Sequence, residues 1–328
     1  MGRRTRLSVL LAVGLLLPVG LQAQGGYAGA FLRLGVGAET VALGEALTAA
    51  TNQGYTLLFN PAGLTRLDHR QLRASYALLS LDRKLTYLGF ATSVGPEPGR
   101  NRASGEKAKP RAGIGLGWVY AGVDNIDGRD FDGRPTGMLS NSENAFYFGF
   151  GMQPHRLVSV GLAGKILYNR FPGVTETDGA LTARGFGVDV GVLVGPFGGL
   201  TVGAVVRDIN SRYTWNTEHV WEHGTTTVDR FPRVWRFGAA YHLLEGRVLL
   251  LAQVEDSDVG DPRLQLGAEW EAVRGVLFRA GLRGSAPSFG LGFSRPLLGR
   301  RVTLNYAVFS SNSAAPRVDH WLGWAVEF

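Results

Sequence analysis

The chain has 328 residues, a formal net charge of +7, 47 glycines, 10% aromatic and only 19% charged residues, and no cysteine. The missing cysteine excludes a disulfide framework, thiolate metal ligation and cysteine catalysis. A mean hydropathy of +0.02 with 45% hydrophobic residues means that apolar and polar residues are interleaved and not gathered in blocks, a mixture that suits a barrel with lipid on one face and water on the other.

At the N-terminus Arg3, Arg4 and Arg6 precede an apolar run over residues 7–20 interrupted by Pro18, and Leu21, Gln22 and Ala23 form a cleavage-type ending before Gln24. This predicts a secretory signal over residues 1–23, too short and too broken to span a bilayer. Without its three arginines Lys+Arg falls from 34 to 31 against 27 acids, so the charge drops from +7 to +4, and a nucleic-acid partner is not expected. No later apolar stretch reaches the roughly 18 residues of a membrane helix, so a membrane crossing has to be made by strands.

Residues 24–70 read as an internal plug. Ala38, Ala42, Gly44, Ala46, Ala49 and Ala50 dominate a helix candidate over residues 38–50, narrow enough to lie against a wall of glycines. Residues 55–59 read as a short extended run, and Pro61 disfavours helix at Asn60, leaving a turn that Gly63 completes. Pattern alone fits a plain loop here equally well. As a plug, Leu57, Phe59, Asn60, Pro61, Gly63 and Leu64 form the hinge into the first wall strand and the candidate contact for a hydrophobic ligand.

From residue 71 onward the dominant period is two. Phe146, Phe148, Phe150 and Met152 alternate with Ala145, Tyr147, Gly149 and Gly151, and Phe186, Val188, Val190, Val192 and Val194 oppose Gly185, Gly187, Asp189 and Gly191. One face is apolar and the other is glycine, serine or charge. The template predicts strands over 71–80, 83–94, 111–121, 143–153, 157–169, 182–194, 200–209, 232–243, 247–255, 263–272, 275–284, 287–295, 301–310 and 318–328. These make fourteen wall strands over residues 71–328, an even number that returns both ends to the periplasm. A soluble β-sandwich also alternates, but with less glycine opposite its apolar stripe. On this reading Arg at Val190 or Phe148 impairs assembly, while Gly191→Ser is mild.

Alternate connections are short, as periplasmic turns should be. The exceptions are the tight link at Leu81 and Asp82, predicted outside, and the long link over 95–110, predicted periplasmic, so either the early register is wrong or a periplasmic tongue is present. The last residues, WLGWAVEF, put Leu322, Trp324, Val326 and Phe328 on one face. Trp324, Val326 and Phe328 resemble the terminal signal that barrel-assembly machinery reads.

Three features bear on chemistry. His219, Glu222 and His223 spell an inverted zinc-protease string, but in a loop with no third ligand in view; an exposed loop in which Trp215 and Trp221 face cargo or lipopolysaccharide is the simpler reading. Asp124, Asp127, Asp130 and Asp132 suit Ca²⁺ chemically but not in EF-hand spacing, so a solvated acidic loop is preferred. Lys165, Asp189, Arg207, Arg236, Arg263, Glu269, Arg279 and Arg283 fall on the lumen face, where pairing is favoured over a conduction path. No cofactor, metal site or enzymatic centre is expected.

The segments FLRLGVGAETVALGEA (31–46) and LLFNPAGL (57–64), with VGAVVRDIN (202–210), FPRVWRFGAAYHL (231–243) and the terminal aromatic, are similar to the PorV/PorQ family, relatives of FadL-type transporters. Glu45 and the run Thr51, Asn52, Gln53 depart from the family pattern, which weakens any ligand contact placed there. The resemblance implies an all-β, fourteen-stranded antiparallel transmembrane β-barrel with an N-terminal plug containing a short helix, monomeric and integral to the bacterial outer membrane. Its implied partners are outer-membrane lipid and lipopolysaccharide, barrel-assembly machinery, and secreted cargo proteins or components of a type IX secretion system that the barrel docks or shuttles. The alternative it implies is a FadL-like transporter of hydrophobic small molecules, with a hydrophobic ligand as partner.

Overall fold

Alternation in the sequence becomes a closed wall. The computed structural model describes residues 27–95, 111–173, 179–218, 224–311 and 317–328; the signal expected over 1–23 and the 219–223 string with Trp221 lie outside them. The strands are β1 (Gln71–Leu79), β2 (Arg83–Val94), β3 (Arg111–Arg129), β4 (Pro135–His155), β5 (Val158–Pro172), β6 (Ala180–Phe197), β7 (Leu200–Asn216), β8 (Thr226–Arg230), β9 (Val234–Leu243), β10 (Val248–Ser257), β11 (Arg263–Val273), β12 (Val276–Arg283), β13 (Ala286–Leu297), β14 (Arg300–Ser311) and β15 (Arg317–Glu327). Neighbours pair antiparallel throughout, and β1 with β15 and β6 with β7 close the ring. β8 and β9 both pair with β7, on its outer and inner halves, and so share one wall position, giving a fourteen-position barrel.

The two faces invert the burial of a soluble protein. Phe148 (57% exposed), Leu116, Ile166, Phe186 and Leu291 point outward, while Lys165 is fully buried and Asp189 and Arg207 nearly so. Register keeps the outward residues together: Leu116 lies opposite Phe148, and Ile166 opposite both Phe146 and Phe186. An apolar belt of this extent is stable only in lipid, and the strands satisfy every neighbour's backbone without an edge. The protein is an integral outer-membrane β-barrel. Both ends of the wall meet at the short-turn, periplasmic rim, where Gln71 pairs with Glu327.

The β1–β2 link is as tight as read, with Leu79 opposite Arg83 and Leu81 and Asp82 at positive φ, so the early register is right; the long link read as a periplasmic tongue lies, over 96–110, outside the described residues. β3 and β4 run 19 and 21 residues, well past the predicted 111–121 and 143–153. Their outer ends, with Asp124 and Asp127 on β3 and Ser140, Asn141 and Ser142 on β4, are largely polar, so a lipid-face template does not see them although the backbone goes on pairing.

Inside the wall, residues 27–70 fill the lumen. α1 (Ala38–Ala42) stops short of the helix expected over 38–50, because Gly44 and Glu45 both turn to φ 61°. α2 (Thr56–Phe59) is helical where an extended run was expected; an apolar run this short has no period that separates the two.

Candidate functional site

The seat of the plug is Asn60. It is extended at φ −160°, and Pro61 opens the 3-10 turn Pro61–Arg66. Asn60 Nδ2 donates to the carbonyls of Thr48 (2.8 Å) and Val192 (3.1 Å), while Oδ1 accepts from Ala62 N at 3.1 Å. One amide thus ties two parts of the plug to β6. Downstream, Thr65 Oγ1 donates to Ser159 Oγ at 2.9 Å, and Arg66 donates to Ser159 Oγ and to the Gly195 carbonyl, both at 3.0 Å. Leu57, Gly63 and Leu64 are buried in the same seat.

Glycines of the wall make the room. A Cβ at Gly115 would stand 2.9 Å from Leu64 Cδ2; one at Gly149 would overlap Leu57, one at Gly161 the Ala62 nitrogen, and one at Gly191 Asn60 Oδ1. The expectation that Gly191→Ser is mild is therefore corrected, because glycine there admits the seat itself. We expect Gly191→Ser to cost about 1–3 kcal/mol, the range for overpacking, and to raise single-channel conductance in planar bilayers as the plug is displaced. Wild-type conductance and stability in that variant would refute the seat.

Lumen charges are paired. Lys165 Nζ lies 2.7 Å from both Asp189 Oδ1 and Asp208 Oδ1, and Arg207 Nε is 3.9 Å from Asp189 Oδ2. Arg236 meets Glu255 at 2.6 Å and Arg279 meets Glu269 at 2.5 Å. Arg283 meets Glu45 at 3.1 Å, and the buried Glu39 on the plug meets Arg73 on β1. Asp208 and Glu39 were not singled out in the sequence. For Asp208 the sequence shows only two charges side by side at 207 and 208; in the structure both are buried, which a regular strand forbids and a bulge allows, and Asp208 sits at φ 61°.

That bulge belongs to an interruption of the wall. Between Arg207 opposite Val234 and Arg212 opposite Arg230, residues 208–211 of β7 face residues 231–233, four against three, and the pairing slips by one. Phe231 N to Ser211 O, at 2.9 Å, bonds the two sides there, and Pro232 has no N–H to add another. The plug backs the interruption from within. Arg33 Nη2 donates to the Pro232 carbonyl at 3.1 Å, and Gly29 lies so close to the Phe231 ring that no Cβ fits. Phe231 is buried, edge-on to Tyr213 with ring centres 5.0 Å apart.

Two cavities adjoin this place. A mouth of about 320 Å³ is lined by Arg33, Arg83, Arg263, Arg283, Glu255 and Asp261 among others, and a small chamber of about 10 Å³ by Leu32, Val36, Leu58, Phe59, Val119 and Tyr147; Glu45 and Arg236 border both. Burial lowers the pKa of Arg33, opposed by the nearby charges of Asp208 and Glu255. The chamber holds about one water, so the plug side chains occupy what would be a ligand's space.

The remaining predicted residues are placed apart. Trp215 donates to Asp229 Oδ2 at 2.7 Å in the outer β7–β8 hairpin. Trp324 faces lipid, Val326 is half-buried, and Phe328 lies 4.7 Å from the Arg300 guanidinium at the periplasmic rim. Asp124, Asp127 and Asp132 pair with Lys84, Arg129 and Arg134, and Asp130 accepts two backbone bonds. No cluster of three or more metal-type ligands occurs among the described residues.

Plug, paired lumen and interrupted wall define a class: a plugged outer-membrane β-barrel. No protein-family model and no curated protein matches the chain. Among solved structures it is similar to the CymD monoaromatic hydrocarbon channel, with TM-score 0.59 and 12% identity over 90% of this chain and 97% of that one. The Ralstonia pickettii toluene transporter TbuX gives TM-score 0.58 and 12% identity over 90% and 98%, and a Pseudomonas aeruginosa FadL homologue 0.51 and 12% over 89% and 98%. At these identities the likeness is one of fold.

Proposed function

We propose that this chain passes hydrophobic small molecules across the outer membrane. The molecule enters at the polar mouth, meets Leu58 and Phe59 as the plug shifts, and leaves sideways between β7 and the β8–β9 position. The observation that carries this reading is the interruption at residues 231–233, where the wall pairing slips, Arg33 of the plug bonds Pro232, and Arg207, which lines the small chamber, ends the paired stretch. The fold shared with hydrocarbon channels supports it. Docking of exported proteins rests on the sequence resemblance alone, and Trp215, expected to face cargo, is engaged with Asp229.

The test uses the absence of native cysteine. Ser211→Cys with Phe231→Cys places two thiols across the interruption, at positions that continue the β7–β8 register and within the Cα separation a disulfide spans. Toluene uptake by vesicles holding the protein is expected to stop on oxidation and to return on reduction. Undiminished uptake with the bridge formed sinks the lateral route, and no uptake above empty vesicles by the wild type sinks the transport reading.

A further inference from the structure

The two rims of the barrel carry their cations differently. At the outer rim exposed Arg170, Arg184, Arg212 and Arg230 stand among exposed acids such as Asp82, Asp229, Asp256 and Asp258, and Lys84, Arg129 and Arg134 each have a carboxylate within 3.4 Å. Among the described residues of the periplasmic rim Arg70, Arg156, Arg247, Arg274, Arg295, Arg300 and Arg301 are exposed, against two exposed carboxylates, Asp68 and Glu245, and the half-buried Glu271 and Glu327. Among the described residues the ion pair recorded for these seven is Arg301 with Glu327, at 4.0 Å. The arginines are spread around the circumference. Arg156 lies in the β4–β5 turn, Arg247 in β9–β10, Arg274 in β11–β12, Arg300 in β13–β14, and Arg70 where the plug enters β1.

The same turns expose apolar side chains. Leu244, Val273 and Leu298 stand at the tips, Leu298 93% exposed, with Phe197 in the β6–β7 turn. Arg295 and Arg300 lie over the Phe293 and Phe328 rings, at 5.0 and 4.7 Å. Just above, Trp270 and Trp324 face lipid, as the aromatic girdle of a barrel does at the membrane interface. A cation beside an apolar tip, repeated around a ring where the lipid belt ends, fits a headgroup layer. Guanidinium groups match phosphate oxygens in a fork, and the apolar tips reach the acyl boundary.

We propose that the periplasmic rim is a collar that binds anionic phospholipid headgroups of the inner leaflet. A flat acidic protein would meet only one arc of such a ring, whereas a lipid annulus meets all of it. The collar anchors the barrel at the end where the plug is tied to β5 and β6, and so bears on the depth and tilt at which the wall interruption sits in the bilayer.

Trp270 and Trp324 report on the collar directly. The full chain is placed in phosphatidylcholine vesicles containing a minority of brominated phosphatidylglycerol or, separately, brominated phosphatidylcholine, and tryptophan quenching gives the relative association of each lipid. A preference for phosphatidylglycerol of about fivefold per engaged arginine is expected at low salt, falling steeply as salt rises. Arg156→Gln, Arg274→Gln and Arg300→Gln together should markedly lower the preference, the four rim arginines left in place carrying the remainder, while Arg129→Gln with Arg134→Gln at the outer rim should keep it. Because the rim side chains are exposed, the triple variant should keep its unfolding midpoint in pure phosphatidylcholine, which separates lost binding from lost folding. Equal quenching by the two lipids in the wild type, or a preference that the triple substitution leaves unchanged, overturns the collar and leaves the charge to an acidic periplasmic protein.

Discussion

Lys165→Met is expected to lower stability by about 3–5 kcal/mol, the cost of removing one partner from a buried ionic cluster. Lys165 is wholly buried and its ammonium is shared between Asp189 and Asp208, each at 2.7 Å. Removing it leaves two buried carboxylates to Arg207, which is 3.9 Å from the nearer of them. The repulsion and desolvation fall on the bulged part of β7, so the damage should reach the wall interruption as well as the global fold. The control is the double variant Lys165→Met with Asp208→Asn. Asn tolerates the left-handed conformation at 208, and the change removes one excess negative charge, so part of the lost stability should return. Urea unfolding in detergent micelles, followed by tryptophan fluorescence, reads both. A single variant as stable as the wild type, or a double variant worse than the sum of its parts, would show that the cluster is not held by charge.

The wall was legible because its physics is repetitive. Every second residue of β4 from Phe146 to Met152 meets lipid, so the same pattern recurs until the ring closes. What the sequence hid was whatever does not alternate. The outer ends of β3 and β4 lie beyond the predicted strands, and β7 beyond residue 209 together with β8 falls in what the alternation left as a loop before 232, although both are paired strand. The plug was legible as a small-residue segment but not in its path. Its course is set by contacts more than 100 residues away, such as Asn60 with Val192 and Thr48 with Gln253, which no local period records. Glu45 is an instructive case. As a departure from the family pattern it weakened the ligand contact; in the fold it is buried against Arg283 and borders both cavities, so it joins plug to wall at the entrance.

Phe148→Arg tests the membrane assignment itself. Phe148 is 57% exposed on the outer face of β4, opposite Leu116 of β3 and Gly164 of β5, and Arg near the midplane of a barrel costs about 2–4 kcal/mol. The comparison is Met138→Arg on the same strand, a residue 74% exposed. The two positions are 148 − 138 = 10 residues apart on β4, which is about 33 Å along the strand at ~3.3 Å per residue. At the usual strand tilt the separation normal to the bilayer is about 25 Å, roughly the full height of the apolar band. Arg at 148 therefore meets hydrocarbon and Arg at 138 meets water. Heat-modifiable gel mobility of outer-membrane extracts should show the first variant poorly assembled and the second like the wild type. Equal assembly of the two would mean that the outward face of β4 is not in lipid at either height. The belt, the collar beneath it and the lateral exit would then lose their common frame.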